Sequence, residues 1–449
     1  MNMKDISGAV MGKPEIYFAN MGHGEAIAFE LNGQWYLRDF GEYSHRKNIL
    51  TSCHVETVLD RKCADCVFSN FSNATGRAGE EDKRWIAILS HSHRDHFSGF
   101  KGLYERLKKI SASTKIFKKA YLPDLYQDRA KLEELTDNVM SCVLIHAFSQ
   151  NDIEKNEAKN FLIYHTVMAA LSDELIFCDH HRKEGNAGLN FYAPVNWTNR
   201  NHDSADKEND LRLELEHFRK NNNISESQKN RIENATQGIL KIIQKYYDNP
   251  RVDFSRAVED HKIILDLLKG IVHTKNINLF SLPFWNNRNI DDNSLIFSIG
   301  EDERWLFLGD STDDALKKIY AVNNFEKEYY GIKAGHHGTR GGETLREKHI
   351  HCKKSIICTG KGHYALNSPQ PSYLEISDEC FTFDYPYGSS SSNMKNINVC
   401  QCCNLNNRSE DPDIVGDETS GNGLNFVTGK YNIKNKPIAF LRSNGEKDR

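Results

Sequence analysis

The chain has 449 residues and carries 58 Lys and Arg against 62 Asp and Glu, a formal net charge of -4. Its 39% hydrophobic and 27% charged content is that of a folded chain with a large core, arranged as one elaborated domain or two ordinary ones, and excludes a disordered one. The near balance of charge excludes binding of nucleic acid by bulk positive charge, while leaving room for a local basic groove.

Short apolar or alternating runs at residues 16–18, 26–29 and 35–37, punctuated by Gly22, Gly24, Gly33 and Gly41, predict strands. A polar, cysteine-bearing loop over 43–82 follows. Residues 85–89 form a continuous apolar run, the pattern of a buried strand. Phe97, Phe100, Leu103, Tyr104 and Leu107 then recur at helical spacing, with Lys101, Arg106, Lys108 and Lys109 on the other face. Residues 114–198 mix strand-like pieces with a helical stretch over 152–171. From 201 to 275 apolar residues fall at three- and four-residue steps between charged faces, which predicts an inserted helical subdomain. Strands return at 294–299, 305–308 and 355–358. The tail, 377–449, holds a serine-rich run, a cysteine cluster and a last apolar piece at 438–441.

No stretch reaches the roughly 18–20 apolar residues of a membrane helix, and the first residues lack the apolar core and cleavage site of a secretory signal. The 11 cysteines, odd in number and unevenly spread, argue against a disulfide framework. Reduced thiols or a metal site in a cytoplasmic protein, without a membrane partner, are therefore expected.

The most informative string is Ser90-His91-Ser92-His93-Arg94-Asp95-His96, set between the buried strand and the helix. Two imidazoles one residue apart can converge on one borderline cation, and Asp95 and His96, further round the turn, can address a second. A solvated loop that happens to be rich in histidine is the plain alternative; its position directly after an apolar strand speaks against it. Asp39, in Asp39-Phe40-Gly41, follows another strand, and Gly309-Asp310 closes the run 304–308.

The His-x-His-x-Asp-His string resembles that of the metallo-β-lactamase superfamily, with Asp39 where the superfamily keeps an early Asp-x-Gly and Asp310 where it places a metal-bridging aspartate. Three further blocks, residues 21–27 (MGHGEAI), 292–297 (DNSLIF) and 333–339 (KAGHHGT), look like those of the hydrolase domain of ComEC-type competence proteins. The resemblance covers about residues 14–125 and 285–376. It implies an α/β (α+β) fold, an αββα sandwich, here in parts 14–198 and 285–376 separated by the helical insert. It also implies a dinuclear metal site and nuclease or phosphodiesterase activity.

Two departures from the family pattern matter. The usual histidine before the strand of the bridging aspartate is missing, with Asn293 and Ser294 in that neighbourhood, so His336 or His337 is expected to complete the site. His336 is the preferred ligand and His337 the acid or phosphate donor. Where the family has a late histidine before Pro-x-Pro, this chain has Ser368 beside Asn367, with His363 as the substitute. His23 is read as a structural or rim residue.

Cys63-x-x-Cys66 and Cys400-x-Cys402-Cys403 are each half of a structural zinc site, with Cys53 and His54 as further candidates and plain reduced thiols as the alternative. Cys142, Cys178, Cys352, Cys358 and Cys380 read as core. Lys101, Arg106, Lys108, Lys109, Lys115, Lys118 and Lys119, and Lys333, Arg340, Arg346, Lys348, Lys353 and Lys354, cluster near the two motifs. They are either solvated faces or a track for a phosphate backbone.

The expectation is a phosphodiester hydrolase acting on nucleic acid or a nucleotide. It would use two Zn2+ or Mn2+ ions held by His91, His93, Asp95, His96, Asp310, His336 and His363, with Asp95, Asp310 and His337 as reacting groups. A hydrolase of a small ester, lactone or thioester would use the same metals with an apolar pocket. A degenerate scaffold binding a protein partner through the helical insert is the non-enzymatic alternative.

Overall fold

The computed structural model describes residues 14–19, 24–41, 84–109, 115–126, 129–180, 182–184, 188–195, 224–271, 290–301, 303–358, 370–382 and 426–428. In chain order these form β1 (Glu15–Ala19), β2 (Ala26–Leu31), β3 (Gln34–Phe40), β4 (Ile86–Ile88), α1 (Arg94–Lys109) and β5 (Phe117–Pro123). Next come α2 (Arg129–Phe148), α3 (Asp152–Leu171), β6 (Ser172–Cys178), β7 (Lys183–Glu184) and β8 (Leu189–Ala193). After α4 (Glu226–Asp248) and α5 (Phe254–Lys269) lie β9 (Ile296–Ile299), β10 (Trp305–Phe307), α6 (Asp313–Val322) and β11 (Glu328–Lys333). The last elements are α7 (Gly342–Glu347), β12 (His351–Ile357), α8 (Ser372–Glu375), β13 (Ser377–Thr382) and β14 (Phe426–Thr428).

The strands build two seven-stranded sheets, ordered β14-β1-β2-β3-β4-β5-β6 and β13-β12-β11-β10-β9-β8-β7. In each, one half is antiparallel and the other parallel, the parallel strands being β3 to β6 and β10 to β13. Period-two alternation decides which face each side chain serves. Ile27, Phe29, Leu31, Tyr36, Ile86 and Ile88 point between the sheets, to meet Phe297, Trp305 and Phe307 of the second sheet. Ala26, Ala28, Trp35, Leu37 and Ala87 point the other way, into the helices that cover the first sheet. Leu306 and Ile332 do the same for the second sheet, under α6, α7 and α8. The chain therefore forms the expected four-layer αββα sandwich. Each fully buried Phe, Leu or Ile in these layers contributes about 1.5–3 kcal/mol relative to exposure.

The helical layer over the first sheet is double. α4 packs on α2 and α5 on α3, and Tyr246, Ile239 and Ile264 share one apolar cluster with Leu37 and Phe100. Helix α3 lies between that outer pair and the sheet, so every residue from 160 to 171 is buried. A capping box at Ser225 and Gln228 starts α4. Residues 129–148, which the sequence pattern left without a helix, form α2: its first half is amphipathic and its second half apolar on all sides, so no single stripe marks it. Among the described residues, no helix is long and apolar enough to cross a membrane.

The parallel halves of both sheets end at the same edge of the sandwich. Asp39 closes β3, residues 89–96 follow β4, Gly309-Asp310 follows β10 and His336-His337 follows β11. Loops at the carboxyl ends of parallel strands are the usual seat of function in α/β sheets.

Candidate metal centre

Close packing of three backbone segments sets the first half of the site. Glu25 N donates to Asp95 O at 2.8 Å and Gly41 N to Glu25 O at 2.9 Å. A Cβ on Gly41 would lie 2.1 Å from the carbonyl carbon of Asp95, so only glycine lets the end of β3 pass the start of α1. Asp39, two residues earlier and left-handed at φ 50, receives Ser90 N at 2.7 Å and Ser90 Oγ at 2.8 Å. It thereby fixes the turn that carries the histidines.

The second half comes from the other sheet. Gly309, at φ 59, turns β10 so that Asp310 faces the histidine loop, and Ser294 Oγ accepts from Asp310 N at 3.2 Å. His336, His337 and Gly338 are left-handed in succession, at φ 40, 54 and 81. Such angles cost non-glycine residues of order 1–3 kcal/mol each and cluster at functional sites. Here the turn brings both adjacent imidazoles toward one carboxylate.

Asp310 Oδ2 is the centre. It lies 3.2 Å from His96 Nε2, 3.7 Å from His91 Nε2, 3.9 Å from His337 Nε2 and 4.0 Å from His336 Nε2. On one side His91, His93 and Asp291 form a group able to hold a metal ion, with His93 Nδ1 3.1 Å from Asp291 Oδ1 and 3.1 Å from His91 Nε2. On the other side Glu25, His96, His337 and Asp310 form a second group, with Asp95 beside it, its Oδ2 2.8 Å from His337 Nε2.

Hydrogen-bond chemistry fixes which nitrogen of each ring is bare. Ser90 Oγ gives its proton to Asp39, so it accepts from His91 Nδ1 at 3.0 Å. Asp39 Oδ2 accepts from His96 Nδ1 at 2.9 Å, and the Cys358 carbonyl accepts from His337 Nδ1 at 2.7 Å. In all three rings Nε2 is left as a lone pair directed at carboxylate oxygen, an arrangement that needs a positive charge between the two. Asp310 Oδ1 and His96 Nε2 are buried without a hydrogen bond. Imidazoles whose far nitrogen is committed to an acceptor, around unsatisfied carboxylate oxygens, are what a divalent cation requires. The residues of the two groups fit such ions.

The ionisation of the cluster agrees. Burial favours neutral forms, yet Asp310, Asp95 and Asp39 outweigh it at His96 and hold the ring well above the usual imidazole range. Burial is likewise outweighed at Asp310, kept well below the carboxylate range by His96 and His91. Burial and the neighbouring His96 push His91 down to about 3, while at His93 Asp291 overcomes burial and raises it to about 9. Without a cation, protons on His93 and His96 offset the carboxylates. Glu157 of α3, which accepts from Arg94 N at 2.8 Å, is pushed by burial up to about 7.

Behind the metal groups lies a buried charge platform. Glu25 Oε2 pairs with Arg38 Nη1 at 2.7 Å, Lys333 Nζ faces Glu25 Oε1, and Arg38 Nη2 is 3.2 Å from Asp39 Oδ2. Glu25 stands 3.7 Å from His96 Nδ1 and 3.8 Å from His337 Nδ1, on the side of both rings away from Asp310. It is one of the four members of the second group able to hold a metal ion, but its oxygens are taken by two cationic side chains. Its place is that of a support, not a ligand. Burial pushes Lys333 down to about 8.

Several sequence expectations change. His337, expected as an acid, is buried and points its Nε2 into the ligand group, whereas His336, the preferred ligand, is about one-third exposed, with Nδ1 2.6 Å from Thr339 Oγ1. Near the missing histidine, Asn293 instead reaches Glu134 at 2.9 Å and Ser294 holds Asp310; Asp291, which lies outside the sequence motifs, places a carboxylate there. Glu25 was visible only as part of a glycine-rich block. Lys115 is a cap, donating to Ala169 O and Ser172 O at 2.9 Å and to Val252 O. Lys353 and Lys354 lie over Tyr330, Lys348 lies over Tyr320, and Arg346 pairs with Glu343 and Glu375. His23, Cys53, His54, Cys63, Cys66, His363, Asn367, Ser368, Cys400, Cys402 and Cys403 lie outside the described residues.

No family model matches the chain, and no curated protein matches it. Among solved structures it is similar to the metallo-beta-lactamase fold protein YhfI from Bacillus subtilis, with 9% identity and a TM-score of 0.33, over 82% of this chain and 96% of that one. At that score the likeness is loose, and the four-layer sandwich rests on its own sheets and helices.

Proposed function

We propose that the protein is a metal-dependent hydrolase of phosphodiester bonds, of the metallo-β-lactamase superfamily, acting on a nucleotide or nucleic acid with two Zn2+ or Mn2+ ions. The observation that carries this reading is Asp310 Oδ2, within 4.0 Å of four imidazole Nε2 atoms. His91, His93 and Asp291 would hold one ion, Asp95, His96 and His337 the other, and Asp310 both. Bound there, the ions would lower the pKa of water toward neutrality and offset charge on the phosphoryl oxygens. Mixed imidazole and carboxylate donors suit both metals.

The chain's own groups do the rest. Asp39 and the Cys358 carbonyl orient His96 and His337. His336 is the base at the mouth: Thr339 Oγ1 donates to His336 O at 2.7 Å and so accepts from His336 Nδ1, which leaves Nε2 bare at the partly exposed mouth, and burial pushes the ring down to about 4, so it stands neutral and ready to take a proton from the attacking water. A cytoplasmic setting accords with the free thiols of Cys142, Cys178, Cys352, Cys358 and Cys380.

A second reading, hydrolysis of a small ester, lactone or thioester, draws on the small, largely apolar cavity beside His91, walled by Pro123, Leu125, Phe161 and Ile290. Assays of chelator-stripped protein restored with Mn2+ or Zn2+ separate the two, using single- and double-stranded DNA, RNA, cyclic dinucleotides and a lactone. The proposal expects phosphodiester cleavage that follows the metal. Lactone turnover without phosphodiester turnover would select the second reading.

A further inference from the structure

The geometry points to Arg340 as the phosphate-clamping residue that selects an anionic phosphodiester over a neutral ester, an inference that rests on the hydrolase reading above. Arg340 Nη1 lies 2.6 Å from Asp291 Oδ2 and 3.4 Å from Asp310 O. Asp291 turns its other oxygen, Oδ1, to His93 and His91. One carboxylate thus ties the guanidinium directly to the metal groups.

Arg340 differs from the other basic residues near the two motifs. Lys115 is spent on backbone carbonyls, Lys333 on Glu25, and Arg346 on Glu343 and Glu375. The Arg340 side chain keeps 31% of its surface exposed, and only Nη1 is engaged among the described residues. Nε and Nη2 remain to donate, and a guanidinium edge with two parallel N–H groups matches two phosphate oxygens.

The residue is also held in place before any substrate arrives. Gly335 and Arg340 close a backbone bridge around the His336-His337 turn. Tyr373, fully buried, accepts from Gly335 N at 2.9 Å and donates to Arg340 O at 2.5 Å. Binding then fixes no loop and orders no backbone, which favours affinity.

Charge supports the same selectivity. Glu25 and Asp39 are balanced behind the site by Arg38 and Lys333. Two divalent cations held against Asp95, Asp291 and Asp310 would leave an excess of positive charge, and Arg340 would add to it at the mouth. A neutral ester gains little from this field in its ground state; a phosphodiester gains in binding.

The test measures binding of inorganic phosphate to Mn2+-loaded protein by calorimetry, alongside Mn2+ affinity and the KM for bis(p-nitrophenyl) phosphate. Arg340→Ala should weaken phosphate binding about tenfold or more and raise KM in proportion, with a smaller change in kcat. Arg340→Lys keeps a cation beside Asp291 and should restore Mn2+ affinity without restoring phosphate affinity. Full recovery of phosphate binding by Arg340→Lys, or phosphate loss that only tracks Mn2+ loss, would reduce Arg340 to a partner of Asp291 and overturn the inference. Should wild-type protein cleave no phosphodiester, the hydrolase reading falls, while the phosphate titration still decides the role of Arg340.

Discussion

Asp95 and His337, 242 positions apart in the chain, meet with Oδ2 and Nε2 separated by 2.8 Å. Asp95 opens α1 after the first sheet's β4, and His337 follows β11 of the second sheet. The contact therefore joins the two halves of the sandwich at the site. The proton on His337 Nδ1 goes to the Cys358 carbonyl, so the approaching Nε2 is a lone pair facing a carboxylate. A cation between them resolves that opposition.

From this contact the two adjacent histidines should separate in function. His337→Ala removes a ligand and should weaken Mn2+ binding by about 100-fold or more, beyond the 10–100-fold typical of supporting groups. His336→Ala should leave Mn2+ affinity nearly intact and lower kcat by about 100-fold or more. Calorimetry with stripped protein, paired with turnover, reads both; equal loss of metal in the two variants would remove the distinction.

The buried platform makes a stability prediction. Glu25→Gln leaves Arg38 and Lys333, both fully buried, short of one negative charge. Removing one member of a buried ion pair costs about 3–5 kcal/mol. Denaturant unfolding in excess chelator should show that loss without any contribution from bound metal. An unchanged midpoint would mean that the platform carries little net energy.

Gly41 offers a steric test. Gly41→Ala places a Cβ against the Asp95 backbone, which cannot yield as a flexible side-chain tip does. Overpacking of this kind costs about 1–3 kcal/mol, and the displaced start of α1 should weaken metal binding too. Both effects are expected together in one variant, by thermal melting and Mn2+ titration.

Acid sensitivity should arise partly away from the metals. His165, against the rings of Tyr164, Phe177 and Tyr247, and His261, packed on Tyr104, are pushed by burial down to about 3 from the ordinary 6.5. Between those values the unfolded chain binds protons that the folded chain refuses. Their contribution is full above pH 6.5 and is lost as pH falls, by about 1.4 kcal/mol per pH unit for each histidine. Denaturant midpoints between pH 6.5 and 5 should fall less steeply in His165→Leu than in wild type; parallel slopes would contradict this.

What the sequence made legible was local or periodic. His91 to His96 form one unbroken string after an apolar strand, and Asp310 follows another strand, so both could be placed without a structure. The apolar and alternating runs likewise foretold strands, while their packing into two sheets was implied only by the family resemblance. Asp291 could not be found this way, because it lies in the short helical piece 290–292 before β9 and gains its meaning only from His93 and Arg340 across the site. Glu25 depends on Arg38 and Lys333 from opposite sheets. The placement of His337 inside the cluster and His336 at its mouth depends on three successive left-handed residues, a feature that residue type signals only at Gly338.

Stepwise Mn2+ titration of chelator-stripped protein, with bis(p-nitrophenyl) phosphate turnover read at each point, decides whether Asp310 serves two ions. Mn2+ avoids the thiolate sites that prefer zinc. Two Mn2+ sites per chain are expected, with turnover that rises with occupancy of the second, and loss of both in Asp310→Ala. Turnover indifferent to chelation and unchanged in Asp310→Ala would contradict it.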